Sequence, residues 1–254
     1  MDVFDKYSEL YDLLYLDKDY SKEVHYVLEN IGNYGNRVTN ILEYGSGTGK
    51  HGKIMAEKGY YIKGVELSDK MCAIAQKYIV SEGIQDKFEI VNANIVSYLD
   101  DKIYDCVLSL FHVMSYLTST SDLIKVFQNA FSQLGTGGLF IFDVWYSPAV
   151  LYLRPQNKLK LFENEYLKIL RFTEPFIRYN ENIVDVNFKM IVVDKTTNQL
   201  TEIEETHAMR YFSLPEIRYH AENNGFELIV AEEFLTKREP SEKTWGVCFI
   251  LRKR

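Results

Sequence analysis

Glu43, the four glycines of residues 45–52 and Glu66 carry the densest chemical signal in the chain. The stretch EYGSGTGKHG, residues 43–52, follows the apolar pair Ile41-Leu42 and runs into a segment of helical pattern. Glycine at that density loses much conformational freedom on ordering, so the backbone there must be needed close to a ligand. Gly47-x-Gly49-x-x-Gly52 matches the dinucleotide fingerprint, and Glu66 lies about 20 residues on, where a ribose ligand belongs. Glu43, however, stands two positions before Gly45. A carboxylate there repels a pyrophosphate and suits a cationic amino group. Glu66 can accept two charge-assisted hydrogen bonds from ribose hydroxyls, and its neighbours Leu67 and Met71 can pack on a purine. Together these residues favour S-adenosylmethionine (SAM), which carries adenosine at one end and a cationic amino acid at the other.

The elements that must hold these groups can be read around them. TNILEYG is a buried strand entering the glycines, KHGKIMAEKG a helix closed by Gly59, and YYIKGVEL a second strand. Ser68 caps a helix over DKMCAIAQKY. FEIVNAN, YDCVLSLF and LFIFDVW read as further strands, with an amphipathic helix capped near Ser121 between the last two. Alternating strands and helices imply a parallel sheet covered on both faces. Beyond Pro148 the period changes to two over residues 159–212, as in antiparallel strands. A helix over LPEIRYHAENNG and a terminal hairpin, FELIVAEEFL with WGVCFILRK, close the sheet. At the start, Tyr7, Tyr11, Tyr15 and Tyr20 recur at helical spacing, and a second helix is expected from about Ser21 to Ile31.

Composition narrows the partners. Net charge is −7 with mixed signs, which disfavours nucleic acid. Cys72, Cys106 and Cys248 are scattered among apolar residues, so reduced buried thiols and a cytoplasmic setting are expected, without a disulfide framework. No His/Asp/Glu set has metal-ligand spacing. MDVFDKYSEL lacks the regions of a signal peptide, and no apolar run is long enough to span a bilayer.

ILEYGSGTGKHG, GVELSDKMCAIA, VNANI, YDCVLSLF and LGTGGLFIFDV resemble the successive motifs of class I SAM-dependent methyltransferases over roughly residues 38–145. The resemblance implies an α/β, Rossmann-like sheet of seven strands with the last antiparallel, plus a small inserted antiparallel sheet. It implies a division into an N-terminal helical lid (1–36), the SAM-binding core (37–150), the insertion on the acceptor side (151–212) and the C-terminal helix and hairpin (213–254). Cofactor candidates are Tyr20, Glu43, Gly45, Ser46, Gly47, His51, Glu66, Leu67, Met71, Asn94, Ile95 and Leu110. Asn94 stands where the family offers Asp to the adenine amino group.

ELYDLLYLDKDYSKE, FHVMSYL, FDVWYSP and EETHAMRYFS are in turn similar to enzymes that methylate the amine of nucleotide-linked deoxyamino sugars. That likeness implies that Tyr20 reaches the methionine carboxylate, with His51 nearby, and that Tyr11 faces the reacting centre. Tyr11 and His207 are rival proton acceptors, and Tyr116 stands where that family often has His. Trp145 and Tyr146 would wall the acceptor pocket, and Arg210 or Arg178 would grip a diphosphate. His112 reads equally as a structural histidine. A homodimer is implied by the relatives. O-methylation of a sugar or of another capsule or antibiotic precursor is the alternative within the class; a nicotinamide-dependent dehydrogenase and a non-catalytic SAM-binding protein lie outside it.

Overall fold

The computed structural model describes residues 7–254, with side chains from Leu10 onward except that of Asp12. The first six residues of the expected lid, MDVFDK, lie outside the described residues. The chain begins with α1 (Tyr7–Leu14) and α2 (Tyr20–Tyr34). Asp19 starts α2 by accepting from the Lys22 amide at 2.9 Å. There follow β1 (Asn40–Tyr44), α3 (Lys50–Glu57), β2 (Tyr61–Glu66), α4 (Asp69–Ser81), β3 (Phe88–Asn92) and β4 (Tyr104–Ser109). A short 3-10 helix (Val113–Tyr116), α5 (Thr120–Gln133), β5 (Leu134–Tyr146) and α6 (Ser147–Leu153) come next. The remaining elements are β6 (Lys158–Glu163), β7 (Leu167–Arg178), β8 (Ile183–Asp194), β9 (Leu200–Phe212), α7 (Leu214–Asn223), β10 (Phe226–Glu233) and β11 (Gly246–Lys253).

Seven strands form the main sheet in the order β3-β2-β1-β4-β5-β11-β10. The first five are parallel, and β11 is wedged antiparallel between β5 and β10. An aromatic layer of Phe127, Phe140, Phe142, Phe226 and Phe249 fills one face beneath α5 and α7. Val24, Val27 and Ile31 of α2, Met55 of α3 and Ile79 of α4 cover the other. The three cysteines are free and buried, and burial pushes the Cys72 thiol up to about 11. No helix among the described residues is long and apolar enough to cross a membrane.

The insertion departs from expectation in size and attachment. Its strands β6 to β9 pair antiparallel in succession, three of them 12 or 13 residues long. The end of β9 also joins the main sheet, pairing parallel with β5 through Trp145↔Tyr211 and Tyr146↔Phe212. The unforeseen α6, with Pro148 in its first turn, turns the chain out of β5. Ser119, two positions before Ser121, caps α5 by accepting from the Asp122 amide.

Candidate active site

The glycine turn between β1 and α3 lies at the carboxyl ends of the parallel strands, where open α/β sheets dock ligands. Gly45 has φ 69°, and a Cβ there would stand 2.5 Å from Val113, so no other residue fits the close approach of the 3-10 helix. Gly47 has φ 57° with nothing within 4 Å of its missing Cβ, which leaves open space over the turn. Its amide donates to Glu66 Oε2 at 2.8 Å, and the Ser68 amide donates to Oε1 at 2.8 Å. A carboxylate has about four lone-pair sites, so two remain for hydroxyl donors. Leu67 is 68% exposed beside it, whereas Met71 is 3% exposed. Of that pair, only Leu67 therefore offers surface to a purine. Open space at Gly47 and spare acceptor capacity on Glu66 fit the adenosine end of SAM.

Asn94 is exposed, and its side-chain oxygen already accepts from the Val96 amide at 2.9 Å, capping the turn after β3. Ile95 is half-buried and Leu110 is buried in the core layer under α2 and α3.

At the other end of the cleft a chain of charges is buried. Ser46 donates to Glu43 Oε2 at 2.7 Å, which turns its side chain beneath the loop. His51 Nε2 lies 2.7 Å from Glu23 and its Nδ1 lies 3.7 Å from Glu43. Lys18 pairs with Glu23, and its ammonium sits 4.2 Å from the Tyr20 ring and 4.3 Å from the Phe111 ring. Tyr20 packs on His51 at 5.0 Å, with Lys50 on its ring at 5.2 Å. A cofactor carboxylate expected near His51 would meet a ring whose Nε2 is engaged by Glu23 and whose Nδ1 stands 3.7 Å from Glu43, too far for a hydrogen bond. The cations Lys18 and Lys50, brought together on Tyr20, are the groups suited to that carboxylate.

On the acceptor side, α1 bridges α4 and β6, and its Leu10 and Leu14 pack with Ile169, Met190, Val192 and Ile203 of the inserted sheet. Tyr11, half-buried, begins an arc of rings. Tyr11–Tyr15 centroids are 4.7 Å apart, Tyr15–Phe111 5.1 Å, Phe111–His112 5.9 Å, His112–Trp145 6.4 Å and Trp145–Trp245 6.0 Å. Beside it, the Tyr116 hydroxyl lies 2.7 Å from His207 Nδ1, and His207 Nε2 lies 3.2 Å from Glu205. Burial pushes the Tyr116 phenol well above its ordinary pKa, so it remains protonated.

Strand alternation corrects three expectations. Successive residues of a strand point to opposite faces, so Trp145 joins the cluster with Tyr116 and Trp245 while Tyr146 enters the main core. Arg178 and Arg210 both flank Ile183 in register. They therefore share one face of the inserted sheet, and His207, three positions before Arg210, lies on the other. Arg210 is held by Glu216 at 2.7 Å, and Arg178 by Glu181 and Asp185 at 2.5 and 2.9 Å. Neither is brought to the Tyr116–His207 pair. A buried cation on the inner face is Arg171, 8% exposed, with its guanidinium 5.0 Å from the Phe162 ring, 5.1 Å from Phe188 and 6.0 Å from Tyr15. Only its odd position in β7, together with His207 in β9, marked it in the sequence.

A second pair had no sequence signal beyond proximity to strand ends. Asp143, 1% exposed in β5, stands 2.6 Å from His112 Nδ1. Burial pushes its carboxyl up, but the His112 ring, the His112 amide and Lys18 bring it below its ordinary value. Phe111 and His112 hold φ of 64° and 62°, a run of two left-handed non-glycine residues. Such conformations cost about 1–3 kcal/mol each and persist where surrounding bonds impose them.

A glycine cradle flanked by Glu43 and Glu66 at the carboxyl ends of a parallel sheet suits a nucleoside-bearing ligand. The profile of the methyltransferase domain matches residues 13–231, and the chain belongs to that family. The protein named "Putative methyltransferase YqeM" of Bacillus subtilis (strain 168) is 25% identical over 256 residues, covering 99% of this chain and 97% of YqeM. The dTDP-3-amino-3,4,6-trideoxy-alpha-D-glucopyranose N,N-dimethyltransferase of Streptomyces venezuelae is 23% identical over 144 residues, 56% of this chain and 58% of that protein. In fold, the crystal structure of an S-adenosylmethionine-dependent methyltransferase from Clostridium acetobutylicum ATCC 824 matches with a TM-score of 0.82 at 19% identity, covering 98% of each chain. The protein is a methyltransferase with the class I methyltransferase fold.

Proposed function

We propose that the enzyme methylates the amine of a nucleotide-linked deoxyamino sugar. The observation that carries this reading is the inner face of the inserted sheet, where Arg171, Glu205 and His207 gather against Tyr11, Tyr15 and Tyr116. A cation suits a diphosphate, the polar trio suits sugar hydroxyls, and aromatic faces favour the partial positive charge on a methyl in transit. The Streptomyces relative, named for an amino-sugar substrate, supports the same class.

SAM supplies a methyl group on a cationic sulfur. In this reading Glu66 holds the ribose, Leu67 the adenine and Glu43 the methionine ammonium, while Tyr20 with Lys18 and Lys50 receives the carboxylate. Tyr11 orients the acceptor, and Tyr116, kept protonated and held by His207, donates to it. Alignment of nucleophile and methyl carbon supplies most of the acceleration.

The test is mass spectrometry of purified protein incubated with SAM and a panel of nucleotide-linked amino and neutral sugars. One or two added methyls on an amino sugar are expected. Modification of the neutral sugars alone would establish O-methylation instead, and a panel left intact despite bound SAM would sink the sugar reading altogether.

A further inference from the structure

We propose that His112, anchored through Nδ1 by Asp143, takes the proton from the acceptor amine on Nε2. This role rests on the N-methyl-transfer reading above. Neither residue belongs to the Tyr116–His207–Glu205 trio, and three independent features converge on them.

The first is aim. The left-handed pair Phe111-His112 is fixed at several points: the His112 amide donates to Asp143 at 3.2 and 3.3 Å, the Ser115 amide donates to the His112 carbonyl at 2.9 Å, and the Trp145 amide donates to Ser115 Oγ at 3.2 Å. A histidine filling space would not require a turn so heavily imposed. Gly246 completes the seat, since a Cβ there would press on His112 Cε1 at 3.3 Å.

The second is tautomer. Asp143 Oδ2 lies 2.6 Å from Nδ1, and a carboxylate that close favours the proton on Nδ1 and a lone pair on Nε2. Asp143 is buried, while a quarter of the His112 side chain stays open. Nδ1 faces Asp143 and Cε1 faces Gly246, so Nε2 belongs to the open edge, and it has no hydrogen-bond partner among the described residues. The charged and titratable groups around the pair are Asp143 itself, Lys18 from the α1–α2 connection and Cys248 across the β5–β11 ladder. Lys18 in turn feels Glu23 and Glu43.

The third is place. Val113, the next residue, is the one that packs against Gly45 of the cradle, and Trp145 flanks the ring on the acceptor side. His112 thus stands between the cofactor turn and the acceptor wall. The ammonium of the incoming sugar gives one proton to Nε2. Its freed electron pair then forms the bond to the methyl carbon as the methyl–sulfur bond breaks, with that bonding pair remaining on sulfur. The product ammonium can lose a proton by the same route before a second transfer.

The experiment uses the full chain with SAM and the amino sugar that the panel shows to be methylated. His112→Gln should bind SAM within about twofold of wild type by calorimetry, yet lose about 100-fold in kcat at pH 7. The deficit should shrink as pH rises and the amine deprotonates unaided. Asp143→Asn, a positioning change, should give a smaller loss with the same pH form. In nitrogen NMR of histidine-labelled protein, His112 should show the Nδ1–H tautomer, mixed in Asp143→Asn. Wild-type rates in His112→Gln at every pH, a loss that does not vary with pH, or an Nε2–H tautomer would each overturn this role alone. Wild-type protein that modifies no amine overturns the N-methyl reading itself and this role with it.

Discussion

At the scale of single residues, the cofactor cleft holds carboxylates in conflict with their burial. Burial pushes Glu43 above its ordinary pKa, with His51 and Ser46 pulling it down incompletely. A carboxyl whose pKa is raised on folding gives its full stability below the unfolded value and loses it as pH rises through the folded one. Glu43→Gln should therefore raise the Tm of cofactor-free protein at neutral pH by roughly 2–4 °C per kcal/mol relieved. The gain should vanish near pH 4, at about the unfolded value, and SAM should bind more weakly. Thermal scans at the two pH values with a SAM titration check both signs. Glu66→Ala removes the ribose acceptor and should weaken SAM binding about 10- to 100-fold, the scale of hydrogen bonds to a charged group, as calorimetry would report. Both acids were legible in the sequence because their spacing from the glycines is itself the signal. Asp143 was not, since its meaning depends on His112, 31 positions away.

At the scale of elements, the face of the inserted sheet on which a residue lies sets whether it can meet the proposed acceptor. Its period of two was legible, but which face turned inward was not. Both faces mix apolar and polar residues: Phe172 and Phe176 are exposed with Arg178 half-buried on the same face, while Arg171 and His207 are buried on the other. Burial by a separate helix sorted them. Arg178→Ala and Arg210→Ala should accordingly leave the KM for a nucleotide-linked acceptor unchanged, whereas Arg171→Met should raise it tenfold or more, about 1.4 kcal/mol. Steady-state kinetics on the three variants separates the faces, and a raised KM in Arg178→Ala would contradict this assignment. Leu14→Ala, which empties a contact between α1 and the sheet, should loosen α1 by about 2–5 kcal/mol. Hydrogen exchange confined to residues 7–14 would register it.

At the scale of the whole molecule, ligand linkage distinguishes the cofactor classes that the glycine loop alone left open. SAM at about 100 times its Kd should add about 2.7 kcal/mol, or roughly 5–10 °C in Tm for a chain of this size. A nicotinamide dinucleotide should add none, and an equal shift from both would reopen the assignment. The strand–helix alternation and closing hairpin were readable because each is local in sequence. The β5–β9 junction was not, because it joins Trp145 to Tyr211 and no local pattern encodes it.

That junction has a consequence for traffic. The roof of the acceptor cleft is knitted into the same hydrogen-bonded fabric as its floor, so it is no door. Among the described residues, α1, eight residues long, touches both α4 and β6. Entry beneath that one short helix, with the donor seated deeper, predicts an ordered mechanism in which SAM arrives first and its spent form leaves last. Product-inhibition patterns should show this order, with the spent donor competing against SAM and not against the sugar.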